Sequence, residues 1–355
     1  MFRTRAAMPR PSAQPSPPPD WRRQLARAVR DPRELLQRLD LPMTLLPAAE
    51  SAARLFPLRV PEPWLARIRP GDPDDPLLRQ VLPLAAEHET PAGFTADPVG
   101  DAAAEANPGL LHKYHGRVLL ITTGACAIHC RYCFRRHFPY TESQAGRDDW
   151  RATLAWLDAH PEVDEVILSG GDPLTLSDRR LATLTEALAQ RPQVRRLRLH
   201  TRLPVVLPDR ITPGLMALLK GPWEVVWVIH SNHAQELDST VAGALARLRE
   251  AGHWLLNQTV LLRRINDDAD TLAALSRQLF QLGVLPYYLH LLDRVQGAAH
   301  FEVTELRARA LAAELAARLP GYLVPRLVRE EAGEPAKTPV TPLAGSSCNI
   351  NDSRP

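Results

Sequence analysis

RVLLITTGACAIHCRYCFRRHFPY, residues 117–140, joins two signals in one run. RVLLITT is a short apolar stretch with β-branched residues, the pattern of a buried strand. The loop behind it packs Cys126, Cys130 and Cys133 into eight residues as C-x3-C-x2-C, and the whole chain has only four cysteines. A strand that delivers a cysteine-rich loop is the first of a series. WRATLAWLDAH follows with helical periodicity. DEVILSGGD then precedes DRRLATLTEALAQ, and VRRLRLHTR precedes TPGLMALLK. EVVWVIHSN pairs with TVAGALARLREAG, HWLLNQTVLL with DTLAALSRQLFQLG, and LPYYLHLLD with TELRARALAAELAARL. A short strand is expected in GYLVPRLV.

Alternating strands and helices predict an α/β fold with a parallel sheet covered by helices. Six such units are too few for a full eightfold barrel, so a partial (β/α)6 TIM-like barrel is expected over residues 105–338. Residues 21–104 read as an N-terminal helical extension, with helices in DWRRQLARAVRD and DPRELLQRLDL and prolines between later segments. Residues 1–20, basic and rich in Pro and Ser, read as a disordered tail, and residues 339–355 as a C-terminal tail. The head has no continuous apolar run of a secretory signal, and no stretch of the chain is apolar enough to span a bilayer. A formal charge of +3 gives no argument for a nucleic-acid partner. Clustered cysteines without an export signal point to a reducing, cytoplasmic location.

In barrel-like folds the chemistry sits at the C-terminal ends of the strands. Cys126 follows the first strand, Ser169–Asp172 the second, Arg202 the third and His230 the fourth. Gln258 lies in the fifth, and Asp293 follows the sixth. The mouth of the barrel is therefore the expected active site. The cysteines admit more than one reading. A structural zinc site closes with four ligands, and His129 and His137 are within reach in sequence. Three thiolates can instead hold three irons of a [4Fe-4S] cluster and leave the fourth iron open. Cys348 lies far off in a polar tail.

The C-x3-C-x2-C loop resembles the radical S-adenosylmethionine (SAM) enzymes, in which the open iron chelates SAM. SGGDPL resembles their glycine-rich SAM-binding turn. The resemblance places Ser169, Gly170, Gly171 and Asp172 at SAM, with the glycines letting the backbone approach the ligand and Asp172 meeting its ammonium group. Arg202, His230 and Gln258 are carried over to the same site. EPAKTP resembles the pyridoxal-phosphate (PLP) lysine segment of the lysine 2,3-aminomutases, which makes Lys337 the Schiff-base lysine. In LLHKYHGRVLL, Lys113 and Arg117 match the family's phosphate-binding cations and Tyr114 its aromatic neighbour of the PLP ring. The family commonly has arginine where Lys113 stands, and lysine loses the bidentate geometry.

Substrate residues follow by the same resemblance. Arg135 matches the arginine that binds the α-carboxylate, and its planar fork suits that group. Asp293 and Glu330 match two acids that hold the distal ammonium of lysine, the second usually aspartate. Acids there would repel a glutamate side chain. PGLLHKYH, CRYCFRRHFPY, LPYYLHLLDRVQGAAHF and GYLVP are similar to the branch that serves elongation factor P. The resemblance thus implies conversion of (S)-α-lysine to (R)-β-lysine through a 5′-deoxyadenosyl radical, fed by an external one-electron reductant. A partner ligase would then attach β-lysine to the translation factor. Two other readings remain: a radical SAM and PLP aminomutase for another amino acid, and an iron–sulfur electron-transfer protein without turnover.

Overall fold

The computed structural model describes residues 20–343. The expectations for the Pro-rich head, for most of the C-terminal tail and for Cys348 lie outside the described residues. Ten strands form one sheet in chain order: β1 (Glu105–Asn107), β2 (Leu110–Tyr114), β3 (Arg117–Thr123), β4 (Glu165–Gly170) and β5 (Arg196–Thr201), followed by β6 (Glu224–His230), β7 (Trp254–Val260), β8 (Leu285–His290), β9 (Arg326–Arg329) and β10 (Thr338–Pro339). Strands β3 to β9 are parallel, and the two ends of the sheet turn antiparallel. β1 and β10 are the free edges, so the sheet curls without closing. This is the expected partial barrel, with the GYLVPRLV strand as a seventh parallel member.

Helices Arg151–Asp158, Asp178–Ala189, Pro213–Leu218, Ser239–Glu250, Ala269–Gln281 and Glu305–Arg318 follow β3 to β8 in turn. Ser177, Thr212, Asp238, Asp268 and Thr304 cap the last five, each side chain accepting from a first-turn N–H that has no partner within its helix. In Asp178–Ala189 the buried residues Leu181, Leu184, Thr185 and Leu188 fall at helical spacing and face the sheet. Among the described residues no helix is long and apolar enough to cross a membrane.

The lumen is polar because the strands alternate. In β5, Leu197, Leu199 and Thr201 are buried, while Arg196, Arg198 and His200 between them are half-buried on the opposite face. The hairpin β1–β2 was not anticipated: its strands are short, and Gly109 and Gly116, both at positive φ, make the turns before β2 and before β3. The helical extension has no core of its own. Leu35, Leu36, Trp64, Leu77 and Leu78 belong to one buried apolar cluster with Val118, Leu120, Val166 and Leu197 of the sheet.

Candidate active site

A cavity of about 530 Å³ occupies the lumen and mouth, and every residue assigned from the sequence to the cluster, SAM, PLP or the substrate lines it. The cysteine loop enters this cavity on a rigid mooring. Arg131, fully buried, donates to Glu87 from Nε at 2.8 Å and from Nη2 at 2.5 Å, and to the Phe56 carbonyl at 2.7 Å. Arg136 donates to the same Glu87 at 2.8 Å and to the Gly297 carbonyl at 3.0 Å. Glu87 belongs to the helical extension, so the extension holds the loop through charge-assisted bonds out of water.

Cys126, Cys130 and Cys133 are free thiols. Burial and the neighbouring sulfurs push the Cys126 thiol well up, and burial with Cys130 pushes Cys133 to about 11. Packing three such sulfurs together favours a cationic ligand that takes them as thiolates. Among the described residues, no three His, Cys, Asp or Glu side chains converge closely enough for a single metal ion. A cluster does not ask for that, since each thiolate meets a different iron. The two histidines weighed for zinc have other partners: His129 Nδ1 lies 2.8 Å from the Pro57 carbonyl, and His137 Nε2 lies 3.2 Å from that of Gln296. The donor set fits a three-cysteine cluster.

The SGGD turn is stitched to this loop. Gly171 N–H donates to the Thr123 carbonyl at 2.7 Å, and Asp172 N–H to that of Ala125 at 2.8 Å. A Cβ on Gly171 would stand 2.4 Å from the Ala125 oxygen, and one on Gly170, at φ +119°, would stand 2.6 Å from the Thr123 oxygen. The glycines are thus required by the close approach of the cysteine loop, a tighter constraint than the ligand approach expected of them. The Asp172 carboxylate accepts from Thr201 Oγ1 at 2.7 Å, Arg202 N–H at 2.8 Å and Leu174 N–H at 3.1 Å. Burial nevertheless lifts it to about 6. Asp172 ties the ends of β4 and β5 together, which leaves few acceptor positions for an ammonium.

Arg202 is turned toward the loop. Nη1 lies 2.8 Å from Cys130 Sγ, and Nη2 donates to Gln80 at 2.6 Å and Glu236 at 3.1 Å, with the guanidinium 4.5 Å from the Trp64 ring centroid. Gln80 and Glu236, both fully buried, were not singled out in sequence. His230 and Gln258 are register neighbours on β6 and β7. Burial lowers His230 to about 4, leaving a neutral ring whose Nε2 has no partner among the described residues. His200 and His290, also neutral by burial and also with unpartnered Nε2, line the same cavity and were missed because they sit inside apolar strand runs.

A line of alternating charges crosses one wall. Lys337 Nζ is paired with Glu330, which also accepts from Tyr114 Oη at 2.5 Å. Lys113 Nζ lies 3.8 Å from Glu330, 2.7 Å from Asp101 and 2.7 Å from the Val99 carbonyl. Asp101 in turn accepts from Arg135 Nε at 2.7 Å, and Arg135 Nη1 donates to Ser169 Oγ at 3.2 Å. Burial works to raise Glu330, but Lys337, Tyr114 and Lys113 hold it below the usual carboxylate range. Asp293 has less help: burial raises it to about 7 against the pull of Lys337. Arg117 stacks on Tyr114 at 4.7 Å and makes no ion pair among the described residues, so it remains available to an anion.

Residues 120–231 match the model of the Radical SAM superfamily. An L-lysine 2,3-aminomutase of Escherichia coli is 51% identical over 323 residues, covering 90% of this chain and 94% of its own. The L-lysine 2,3-aminomutase of Haemophilus influenzae is 47% identical over 90% of this chain and 95% of its own. That of Clostridium subterminale is 34% identical over 91% and 78%. The chain belongs to the radical SAM lysine 2,3-aminomutase family. It is an enzyme of the isomerase class. Membership brings a [4Fe-4S] cluster and SAM, and among the described residues three free thiols stand together at the cavity.

Proposed function

We propose that this aminomutase moves the α-amino group of L-lysine to the β-carbon, giving (R)-β-lysine from (S)-α-lysine, with PLP as its third cofactor. The observation that supports it most is the charge layout of the lumen cavity. Arg135 stands at the cysteine-loop side, and Asp293 and Glu330 stand beside Lys337. That layout suits a molecule with a carboxylate at one end and an ammonium at the other. When bound, the cluster, SAM and PLP supply radical generation and a π system that spreads an unpaired electron next to nitrogen.

The chain's own residues do the rest. Cys126, Cys130 and Cys133 hold the cluster from the moored loop, and Ser169, Gly170, Gly171, Asp172, Arg202, His230 and Gln258 form the SAM side of the cavity. Lys337 would anchor PLP, Tyr114 would be an aromatic neighbour of it, and Arg117 would take the phosphate. Lys113, expected at the phosphate, is engaged by Asp101 and Val99, so its share in phosphate binding is indirect. Arg135 takes the α-carboxylate, while Asp293 and Glu330 take the distal ammonium. Enclosure in the lumen keeps water from a reactive radical. The resemblance to the elongation factor P branch supports the further reading that the β-lysine is passed to a ligase acting on that factor, with an external donor supplying the electron.

The test is anaerobic turnover of cluster-loaded protein with PLP, SAM, dithionite and L-lysine, followed by chiral mass spectrometry. β-Lysine formed without net consumption of SAM is the expected result. Deoxyadenosine without β-lysine would mean that another amino acid is the substrate.

A further inference from the structure

Asp101 is absent from every motif of the sequence, yet it occupies the centre of the charged wall. It is 2% exposed, and its two oxygens are divided between two cations, Oδ1 to Lys113 and Oδ2 to Arg135, each at 2.7 Å. Without it, half-buried Lys113 and buried Arg135 would stand as neighbouring positive charges on one wall with no acid between them. Nε donates to Asp101 and Nη1 to Ser169 Oγ, which fixes the plane of the Arg135 guanidinium at two points and leaves Nη2 for a ligand.

Asp101 is itself held from behind. Its N–H and that of Ala102 donate to the Asp97 carboxylate at 2.9 and 3.0 Å. The strap carrying both acids is pinned at each end. Thr95 bridges to Val295 beside β8, and Gly100 packs so closely on Ala332 that a Cβ would stand 2.9 Å away.

We propose that Asp101 is a positioning residue for the carboxylate anchor, setting the fork of Arg135 against the substrate's α-carboxylate and keeping Lys113 off that group. The inference rests on the reading of Arg135 given above. Charge arithmetic and positioning predict opposite signs here. Removing a negative charge beside Arg135 should tighten carboxylate binding if charge alone mattered, whereas loss of orientation weakens it.

The experiment uses protein loaded with cluster and PLP, and follows the absorbance of the bound cofactor during titration with L-lysine or with cadaverine, which is lysine without its carboxylate. Asp101→Asn is expected to weaken L-lysine by about tenfold or more and cadaverine by less than about twofold. Asp101→Glu should recover part of the loss. Asp97→Ala changes no charge on the cavity wall and should give a smaller loss of the same selectivity, which keeps the test open if Asp101→Asn does not fold. Tighter L-lysine binding in Asp101→Asn, or equal weakening of both ligands, overturns the proposal. If the unmodified protein binds cadaverine no more weakly than L-lysine, it is the carboxylate-anchor reading of Arg135 that fails, and the proposal with it.

Discussion

Asp293 is the residue whose protonation should control substrate binding. Burial raises its carboxyl to about 7, so it is largely neutral below that pH and ionised above it. Only the ionised form attracts the distal ammonium. The expected result is a kcat/KM for L-lysine that rises with pH through about 7, because this ratio reports the free enzyme. Asp293→Asn should remove that limb and lower kcat/KM by roughly a hundredfold; an unchanged limb would assign it to another group. Lys113 and Glu330 form a second test. Both depart from the family's usual residues, and the structure places them 3.8 Å apart, lysine shorter than arginine and glutamate longer than aspartate. Lys113→Arg and Glu330→Asp should each reduce kcat/KM by about tenfold, and the double variant should recover most of it, a coupling of about 2 kcal/mol. Simple additivity of the two losses would show that the positions are independent. Much of the site was legible because cysteines, the SGGD turn and the Lys337 segment carry local patterns. Asp101, Gln80 and Glu236 do not: Asp101 meets Arg135 across 34 positions and Gln80 meets Arg202 across 122. Nothing local marks either.

Between strand and loop, one glycine carries a constraint that can be measured. Ala125 and Gly124 backbone atoms lie 2.4–2.8 Å from where a Gly171 Cβ would sit, and backbone cannot swing aside as a side chain can. Gly171→Ala should therefore part the β4 turn from the cysteine loop, cost roughly 1–3 kcal/mol of stability and lower the iron bound after reconstitution. Gly214→Ala is the matched control. It lies in helix Pro213–Leu218 with its nearest atoms 3.7 Å away, so it should be neutral or slightly stabilising. Equal iron content in the two variants would remove the close approach as the reason for the glycine. The elements themselves were largely readable, because amphipathic helices and apolar strands have distinct periods. The β1–β2 hairpin was not, since three and five residues are too few to show a period. Arg198 and His200 of the VRRLRLHTR strand were not singled out, yet they lie on its inner face and line the cavity.

At the scale of the molecule, the helical extension and the barrel act as one body. One buried apolar cluster spans both, and the Glu87 clasp on Arg131 and Arg136 is among the polar contacts that join them. All three side chains are out of water, so removing the single acid leaves two uncompensated guanidinium groups in the interior. Glu87→Gln should cost about 3–5 kcal/mol. Because the apolar cluster crosses the seam, that cost should fall on the whole fold: cluster-free protein should still melt in one transition, at a lower temperature. Hydrogen exchange should quicken most in residues 126–137, the loop that the clasp holds. An early, separate transition of residues 21–104 with the barrel's own melting unchanged would show instead that the extension folds by itself. In that case the mooring of the cysteine loop would be a contact between independent units, and the cluster site would be set by the barrel alone.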